Sequence, residues 1–187
     1  MLHPQKFGLW IGIASMIMMF VGFTSAYLVR KDAGNWVEFQ IPVEFYISAI
    51  AIALSSLTIW MAVRAYKKQK IGIYRLGLGL TLLLGLAFCY TQFMGWNALT
   101  SIGIYLDGNP SGSFVRVLSY VHFAHVGLGL LLLTAMLIKA VFLLSNSANF
   151  LIDINHPNKG IQIELMATYW HFVGLLWLYL LLFFRFV

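Results

Sequence analysis

Residues 164–187 read Glu-Leu-Met-Ala-Thr-Tyr-Trp-His-Phe-Val-Gly-Leu-Leu-Trp-Leu-Tyr-Leu-Leu-Leu-Phe-Phe-Arg-Phe-Val, and this closing stretch decides the fold. From position 166 onward only Arg185 carries a fixed charge. An uninterrupted apolar run of this length matches the roughly 20 residues that a helix needs to cross a bilayer. His171 stands inside the run between Trp170 and Phe172. A polar ring in hydrocarbon is costly unless its nitrogens are satisfied, so such residues carry most of the functional information.

The rest of the chain has the same character. Hydrophobic residues make up 61% of the 187 positions and charged residues 10%. Apolar segments occupy about 8–29, 43–63, 71–95, 117–143 and 166–187, without the alternation of barrel strands. The sequence therefore predicts an all-α polytopic membrane protein, a bundle of five transmembrane helices forming a single domain over 1–187. The single cysteine, Cys89, excludes a disulfide framework and a Cys-x-x-Cys-His haem attachment site.

The charge distribution predicts orientation rather than nucleic-acid binding. The net charge of +6 arises from 12 basic and 6 acidic residues. Basic residues in cytoplasmic loops set membrane topology, and five of them lie in the loop after the second segment or directly beside it: Arg64, Lys67, Lys68, Lys70 and Arg75. With that loop inside, eight basic residues lie inside and four outside. This predicts a cytoplasmic N-terminus and a periplasmic C-terminus.

Three histidines fall inside the apolar segments. His122 and His125 are three residues apart and share a helix face near the outer start of the fourth segment. His171 lies near the inner start of the fifth segment. From the rise per residue of a helix, His171 and His125 differ by about 10 Å in membrane depth. That separation argues against a shared haem, and the pair alone lacks the further ligands of a metal site. We predict no metal site, and expect these histidines to form hydrogen bonds across helix interfaces.

Other polar and small residues predict packing. Gln92 is expected to join helices through its amide. Glu164 suits the N-terminus of the last helix, with a proton relay toward His171 as the alternative. Glycines that would allow helices to approach closely are Gly77, Gly79, Gly85, Gly127 and Gly129. The sequence contains no Walker motif, nucleophile elbow or HExxH motif, which indicates a subunit of a larger assembly.

The motifs resemble subunit III of the haem-copper terminal oxidases. Tyr169-Trp-His-Phe-Val173 followed by Trp177, with Glu164 upstream, is similar to the last-helix signature of that family. Further similar motifs occur in order along nearly the whole chain: His3-Pro-Gln-Lys-Phe-Gly-Leu-Trp10, Ser25-Ala-Tyr-Leu28, Leu54-Ser-Ser-Leu-Thr58, Leu84-Gly-Leu-Ala-Phe88 with Gln92 and Trp96, and Phe114 with His122-Phe-Ala-His125-Val and Gly129-Leu. Five helices rather than seven imply the short bacterial form.

The resemblance implies a non-catalytic subunit of a proton-pumping cytochrome c oxidase in the bacterial inner membrane. It implies no cofactor in this chain, with haem and copper held by subunits I and II. The expected partners are subunit I directly, subunit II, other oxidase subunits, membrane phospholipids and a larger respiratory supercomplex, with no nucleic acid. The subunit would stabilise subunit I, hold lipids and support proton uptake. The implied interhelical, subunit or lipid contacts are Gln92, Trp96, His122, His125, Glu164, Tyr169, Trp170, His171 and Trp177, with no catalytic, metal or cofactor-binding residue.

Two departures from the family pattern bear on proton uptake. Met16 follows Ser15 where many members have Glu, and Gly174 stands where many have Asp. Both remove an acid from the membrane interior, which favours a structural role over a proton relay. The alternatives are the equivalent subunit of a quinol oxidase, an accessory protein of a nitric oxide reductase, a cytochrome b-like anchor that binds haem through His122 or His125, and a small transporter.

Overall fold

Five long helices make up the computed structural model of the chain, which describes residues 4–34, 36–143 and 159–187. They are α1 (Pro4–Asp32), α2 (Val43–Lys67), α3 (Ile71–Ser101), α4 (Pro110–Ile138) and α5 (Lys159–Phe186). A π-helical turn, Lys139–Leu143, continues α4. Each of the five is long and apolar enough to cross a membrane, and the described ranges contain no strand. The all-α, five-helix fold class predicted from the sequence is confirmed.

The helices extend beyond the predicted apolar segments. The third segment was predicted to end at 95, yet α3 continues through Asn97 and Thr100 to Ser101. Apolar runs mark only the part of a helix that would lie in hydrocarbon, while the backbone hydrogen bonds continue into polar sequence. The motif residue His3 lies outside the described residues.

Residues with strong local preferences form the turn between α3 and α4. Gly103 has a φ of 78°, a left-handed conformation that glycine adopts without strain at the end of a helix. Asn109 then caps α4, because its side-chain oxygen accepts from the Ser111 backbone N–H at 3.0 Å. Pro110 occupies the first position of α4, where its missing N–H costs nothing.

Helix α5 lies at the centre of the bundle and α1 at its edge. Buried residues make up 56% of an 18-residue apolar stretch of α5 and 17% of the corresponding stretch of α1. Helix α2 packs chiefly against α3 and α5, α4 packs against α3 and α5, and α1 lies along α4 and α5. Since α5 contacts every other helix, its side chains determine how the bundle closes.

Glycines allow the closest helix contacts. A methyl group added at Gly77 of α3 would lie 2.8 Å from the Cβ of Ala62 in α2. The indole of Trp170 in α5 fits between two further glycines: an added methyl group would lie 3.0 Å from its Cη2 at Gly85 and 2.9 Å from its Cζ3 at Gly129. Gly79 and Gly127 instead face open space, so neither allows a close approach between the helices of this chain.

The two glycines of α4 offer a matched test of this packing. We expect Gly129→Ala to lower the free energy of unfolding by about 1–3 kcal/mol, because the added methyl group overpacks the Trp170 ring. We expect Gly127→Ala to leave stability unchanged or to raise it slightly, since alanine favours helix over glycine. Unfolding of the purified chain in mixed micelles, titrated with dodecyl sulfate and followed by circular dichroism, measures both. Equal stability of the two variants would show that Trp170 does not need the space at Gly129.

Candidate functional site

Glu164 joins three helices at one end of the bundle. Its carboxylate lies 2.7 Å from the ammonium of Lys67 at the end of α2 and 3.3 Å from that of Lys6 at the start of α1. All three side chains are partly exposed, and ion pairs of this kind stabilise a protein by about 0–1 kcal/mol each. The cluster therefore fixes how α1, α2 and α5 meet more than it adds to stability. The sequence-based expectation that Glu164 stands at the N-terminus of the last helix is wrong, because α5 begins at Lys159 and its first turn contains no acid. The lysine partners of Glu164 were not identified from the sequence.

Serine hydroxyls accept hydrogen bonds from the buried tryptophans. An indole N–H can only donate, so each buried tryptophan needs an acceptor. The bonds are Trp96 to Ser119 at 2.9 Å, Trp170 to Ser55 at 2.8 Å and Trp177 to Ser48 at 3.0 Å. Ser48 and Ser55 are seven residues apart, so they lie on one face of α2 and both face α5. These bonds set the register of α5 against α2, and of α3 against α4.

Ser48 is the centre of a buried polar cluster. It accepts from the Nε2 of Gln92 in α3 at 3.0 Å and from the Nε1 of Trp177 in α5 at 3.0 Å. Its own hydroxyl donates to the backbone carbonyl of Phe45 at 2.7 Å. Ser48 and Gln92 are completely buried. One small side chain thus connects α2, α3 and α5, and sequence reasoning missed it; the signal was a serine spaced seven residues from Ser55 in an otherwise apolar segment.

His122 is surrounded by aromatic rings. The imidazole is completely buried and stacks on Trp177 with centroids 5.2 Å apart and planes 23° apart. Phe88 and Phe20 meet it edge-on at 5.8 Å and 6.4 Å. Among the described residues, neither ring nitrogen has a hydrogen-bond partner. The expected hydrogen bond across a helix interface is therefore wrong for His122, because aromatic rings from three other helices surround it.

His125 also departs from the expected pattern. Its Nδ1 lies 2.7 Å from the carbonyl oxygen of Val121 in its own helix, and since a carbonyl can only accept, Nδ1 carries the proton. The contact with α5 uses the backbone instead: the hydroxyl of Tyr169 donates to the carbonyl of His125 at 2.8 Å. His171 is half-buried beside Trp170. Within 4–34, 36–143 and 159–187, no three histidine, cysteine or acidic side chains come together.

Arg116 is a buried polar residue that the sequence did not single out. It lies in the second turn of α4, before the predicted apolar segment begins, with 6% of its surface exposed. Its guanidinium donates to the carbonyl of Ile104 at 2.6 Å, the hydroxyl of Thr100 at 2.7 Å and the carbonyl of Trp96 at 3.2 Å. These groups lie in the last turns of α3 and in the turn that follows it, so the guanidinium joins the end of α3 to α4. The helix-start signal at Asn109 and Pro110 could have placed Arg116 inside the helix.

Polar side chains in the interior of the bundle thus hold helices together. Hydrogen bonds of the three tryptophans, Gln92, Tyr169 and Arg116 all cross between helices or cap a helix end. Large apolar side chains on the outer faces of α1 to α4 remain exposed, as expected of surfaces that meet lipid or another membrane protein. The arrangement suits a scaffold whose outer surface is available to partners.

Known proteins resemble this chain along almost its whole length. No family profile matches the sequence. Cytochrome c oxidase subunit 3 of Bacillus sp. (strain PS3) is 26% identical over 178 residues, covering 92% of this chain and 81% of the relative. A probable cytochrome c oxidase subunit 3 of Nocardia farcinica is 27% identical over 177 residues, covering 91% and 82%.

Relatives of a second type match equally well. A probable quinol oxidase subunit 3 of Staphylococcus saprophyticus is 22% identical over 182 residues, covering 94% of this chain and 85% of the relative. Over more than 90% of its length, this five-helix chain is thus similar to subunit 3 proteins of both cytochrome c oxidases and quinol oxidases.

Proposed function

We propose that the chain is the non-catalytic subunit III of a proton-pumping cytochrome c oxidase. The observation that carries this proposal is its similarity to oxidase subunit 3 over more than 90% of its length. The contacts of its buried polar side chains support a structural role. The subunit packs beside subunit I, in contact with subunit II and membrane phospholipids, and stabilises the complex while haem and copper chemistry proceeds in its partners.

The charge pattern supports a bacterial inner-membrane orientation with a cytoplasmic N-terminus. In this orientation the Lys6–Lys67–Glu164 cluster lies on the cytoplasmic side, together with the basic residues between α2 and α3. Met16 and Gly174 stand where many family members have an acid. Glu164 is therefore the carboxylate of α5 that remains near the cytoplasmic surface. Because both lysines neutralise it, it serves assembly rather than proton transfer.

Removing the chain tests the proposal. We expect an oxidase purified through a tag on subunit I from a strain lacking this chain to keep its haem spectrum. We expect its activity to decay several-fold faster during turnover, since a supporting subunit is missing. Difference spectra and the time course of oxygen consumption measure both effects, and re-expression of the wild-type chain serves as the control. Loss of the haem signal from an otherwise assembled complex would contradict a non-catalytic role.

The quinol oxidase alternative is supported by the staphylococcal relatives. Comparing oxidation of reduced cytochrome c with oxidation of a soluble quinol by the purified complex separates the two. If the complex oxidised only quinol, quinol rather than cytochrome c would be its electron donor. The assignment of this chain as subunit III would stand. A Soret band in the isolated chain that disappears in His125→Ala would instead favour the haem-anchor alternative.

A further inference from the structure

Polar atoms of two completely buried side chains have no hydrogen-bond partner among the described residues. They are the Oε1 of Gln92 in α3 and both ring nitrogens of His122 in α4. Buried polar atoms in native proteins almost always have a partner, either in the protein or in an ordered water molecule. These atoms therefore need a partner that the described residues do not supply.

Contacts between α3 and α4 place Gln92 and His122 at the same level of the bundle. Trp96 of α3 donates to Ser119 of α4, and Phe88, two turns earlier in α3, meets the ring of His122 at 5.8 Å. The two helices are therefore antiparallel, with early α3 beside later α4. Gln92 lies one turn from both Trp96 and Phe88, and His122 lies one turn beyond Ser119. The unpaired atoms of Gln92 and His122 thus belong to the same part of the α3–α4 interface.

Helix α5 covers this part of the interface with the indole of Trp177. The indole stacks on the His122 ring with centroids 5.2 Å apart. Its Nε1 donates to the hydroxyl oxygen of Ser48 at 3.0 Å, and the Nε2 of Gln92 donates to the same oxygen at 3.0 Å. Gln92 and His122 are therefore both neighbours of Trp177 and its hydrogen-bond acceptor.

The hydrogen bonds of Ser48 fix the orientation of the Gln92 amide. The single hydroxyl hydrogen of Ser48 is donated to the carbonyl of Phe45 at 2.7 Å. The hydroxyl oxygen can then only accept, so Gln92 presents its NH₂ group to Ser48. A flipped amide would bring two acceptors together. The Oε1 of Gln92 therefore points away from Ser48 and needs a donor elsewhere.

We propose that one water molecule is bound between Gln92 and His122. An uncharged imidazole has one N–H, which donates to the water oxygen, and the water donates one of its O–H groups to the Oε1 of Gln92. Buried water molecules are held in this way, by about three hydrogen bonds to polar groups that otherwise lack partners. The water joins α3 to α4 beneath Trp177. This inference goes beyond the proposed function, which does not depend on it.

The chemistry of the site favours water over other occupants. The unpaired atoms belong to uncharged side chains, and within 4–34, 36–143 and 159–187 no three histidine, cysteine or acidic side chains come together to hold a metal ion. Phe20, Phe88 and Trp177 surround the His122 ring, so a larger polar molecule would have to displace them. A water molecule is small, and it both donates and accepts.

Solid-state NMR of the purified full chain in lipid bilayers tests the proposal. Histidine, glutamine and tryptophan are labelled with ¹⁵N, and magnetisation transferred from water to each N–H is measured. We expect transfer to the ring of His122 and to the side-chain amide of Gln92 at several times the level at the indole of Trp170. Trp170 is the internal control, because it is also completely buried but donates directly to Ser55.

A pair of neighbouring variants in α3 shows whether Gln92 holds the water. Gln92→Met removes the amide and keeps a side chain of similar length, so transfer to His122 should fall to the level of Trp170. Thr91→Val is the matched control, because the Thr91 hydroxyl donates only to carbonyls of its own helix. We expect this variant to keep the wild-type transfer. Circular dichroism confirms that each variant is folded.

Two results would overturn the inference. One is transfer to His122 or to the Gln92 amide in the wild-type chain that does not exceed transfer to Trp170, which requires no variant to fold. The other is transfer to His122 that persists in folded Gln92→Met, because Gln92 would then not hold the water. If Gln92→Met does not fold, the wild-type measurement decides alone. Neither result bears on the subunit III role, which the deletion experiment tests separately.

Discussion

Trp170→Ala is expected to lower the free energy of unfolding by about 3 kcal/mol, among the largest effects of any single substitution in this chain. The side chain is completely buried, and its ring lies between Gly85 in α3 and Gly129 in α4. Alanine would leave a cavity where three helices meet. Membrane helices associate through close packing rather than hydrophobic transfer, so the lost contacts dominate the cost. Denaturation in mixed micelles with dodecyl sulfate, followed by circular dichroism, measures the change.

The same residue allows packing to be separated from hydrogen bonding. Trp170→Phe keeps a ring but removes the N–H that donates to Ser55 at 2.8 Å. A hydrogen bond between membrane helices stabilises by about 0.6–2 kcal/mol, so the phenylalanine variant should lose less than the alanine variant. A double-mutant cycle with Ser55→Ala isolates the bond energy.

Trp10→Ala is the matched control for the alanine variant. Trp10 has 57% of its surface exposed on the outer face of α1, so its removal should change unfolding by no more than about 0.5 kcal/mol. If Trp170→Ala and Trp10→Ala were equally stable, the contacts of Trp170 in the centre of the bundle would add nothing to the free energy of unfolding. A larger loss in the Trp170 variant would instead identify its contacts with α2, α3 and α4 as the centre of the bundle.

The fold could be predicted from the sequence because the lipid bilayer imposes a single strong rule. A segment in hydrocarbon must satisfy its backbone hydrogen bonds internally, so five apolar runs of adequate length predict five helices. The ends were harder, since polar residues such as Asn97 continue α3 beyond the hydrocarbon. Helix capping could have extended the prediction at α4, where Asn109 and Pro110 give a local signal.

The contacts between helices could be predicted only in part. A membrane helix is apolar on all sides, so hydropathy does not reveal which face turns inward. The sequence singled out Gln92, Trp170 and Trp177 as interior polar or aromatic residues, and the structure places each in a hydrogen bond between helices. It could not supply Ser48 as the shared acceptor. That pairing depends on the rotation of α2 about its axis.

The contacts of His122 were also predicted only in part. A histidine in an apolar segment suggested a hydrogen bond, because an unsatisfied ring nitrogen is costly. The structure surrounds the ring with Phe20, Phe88 and Trp177 from three other helices. Residue type predicted burial there, but the kind of contact depended on the neighbours.

Arg116 provides the second large expected effect. Arg116→Leu should lower the free energy of unfolding by at least about 3 kcal/mol, because it removes several hydrogen bonds from a charged group and leaves buried acceptors without donors. The guanidinium bridges the end of α3 and the turn that follows, through Trp96, Thr100 and Ile104. Its Nη1 also reaches the hydroxyl of Tyr120 at 3.3 Å. Without it, the turn before α4 would lose its main connection to α3.

Arg116→Lys distinguishes charge from geometry. Lysine keeps the positive charge but offers a compact ammonium group in place of a planar fork, so it cannot reach all of these acceptors. We expect the lysine variant to recover less than half of the loss, in the same micelle denaturation experiment. Arg30→Lys and Arg30→Leu are the matched controls, since Arg30 makes an exposed hydrogen bond to the carbonyl of Gly34. Full recovery by Arg116→Lys would show that a buried charge is sufficient there. Partial recovery, with both Arg30 variants unchanged, would identify the forked geometry of the guanidinium as what holds the end of α3 against α4.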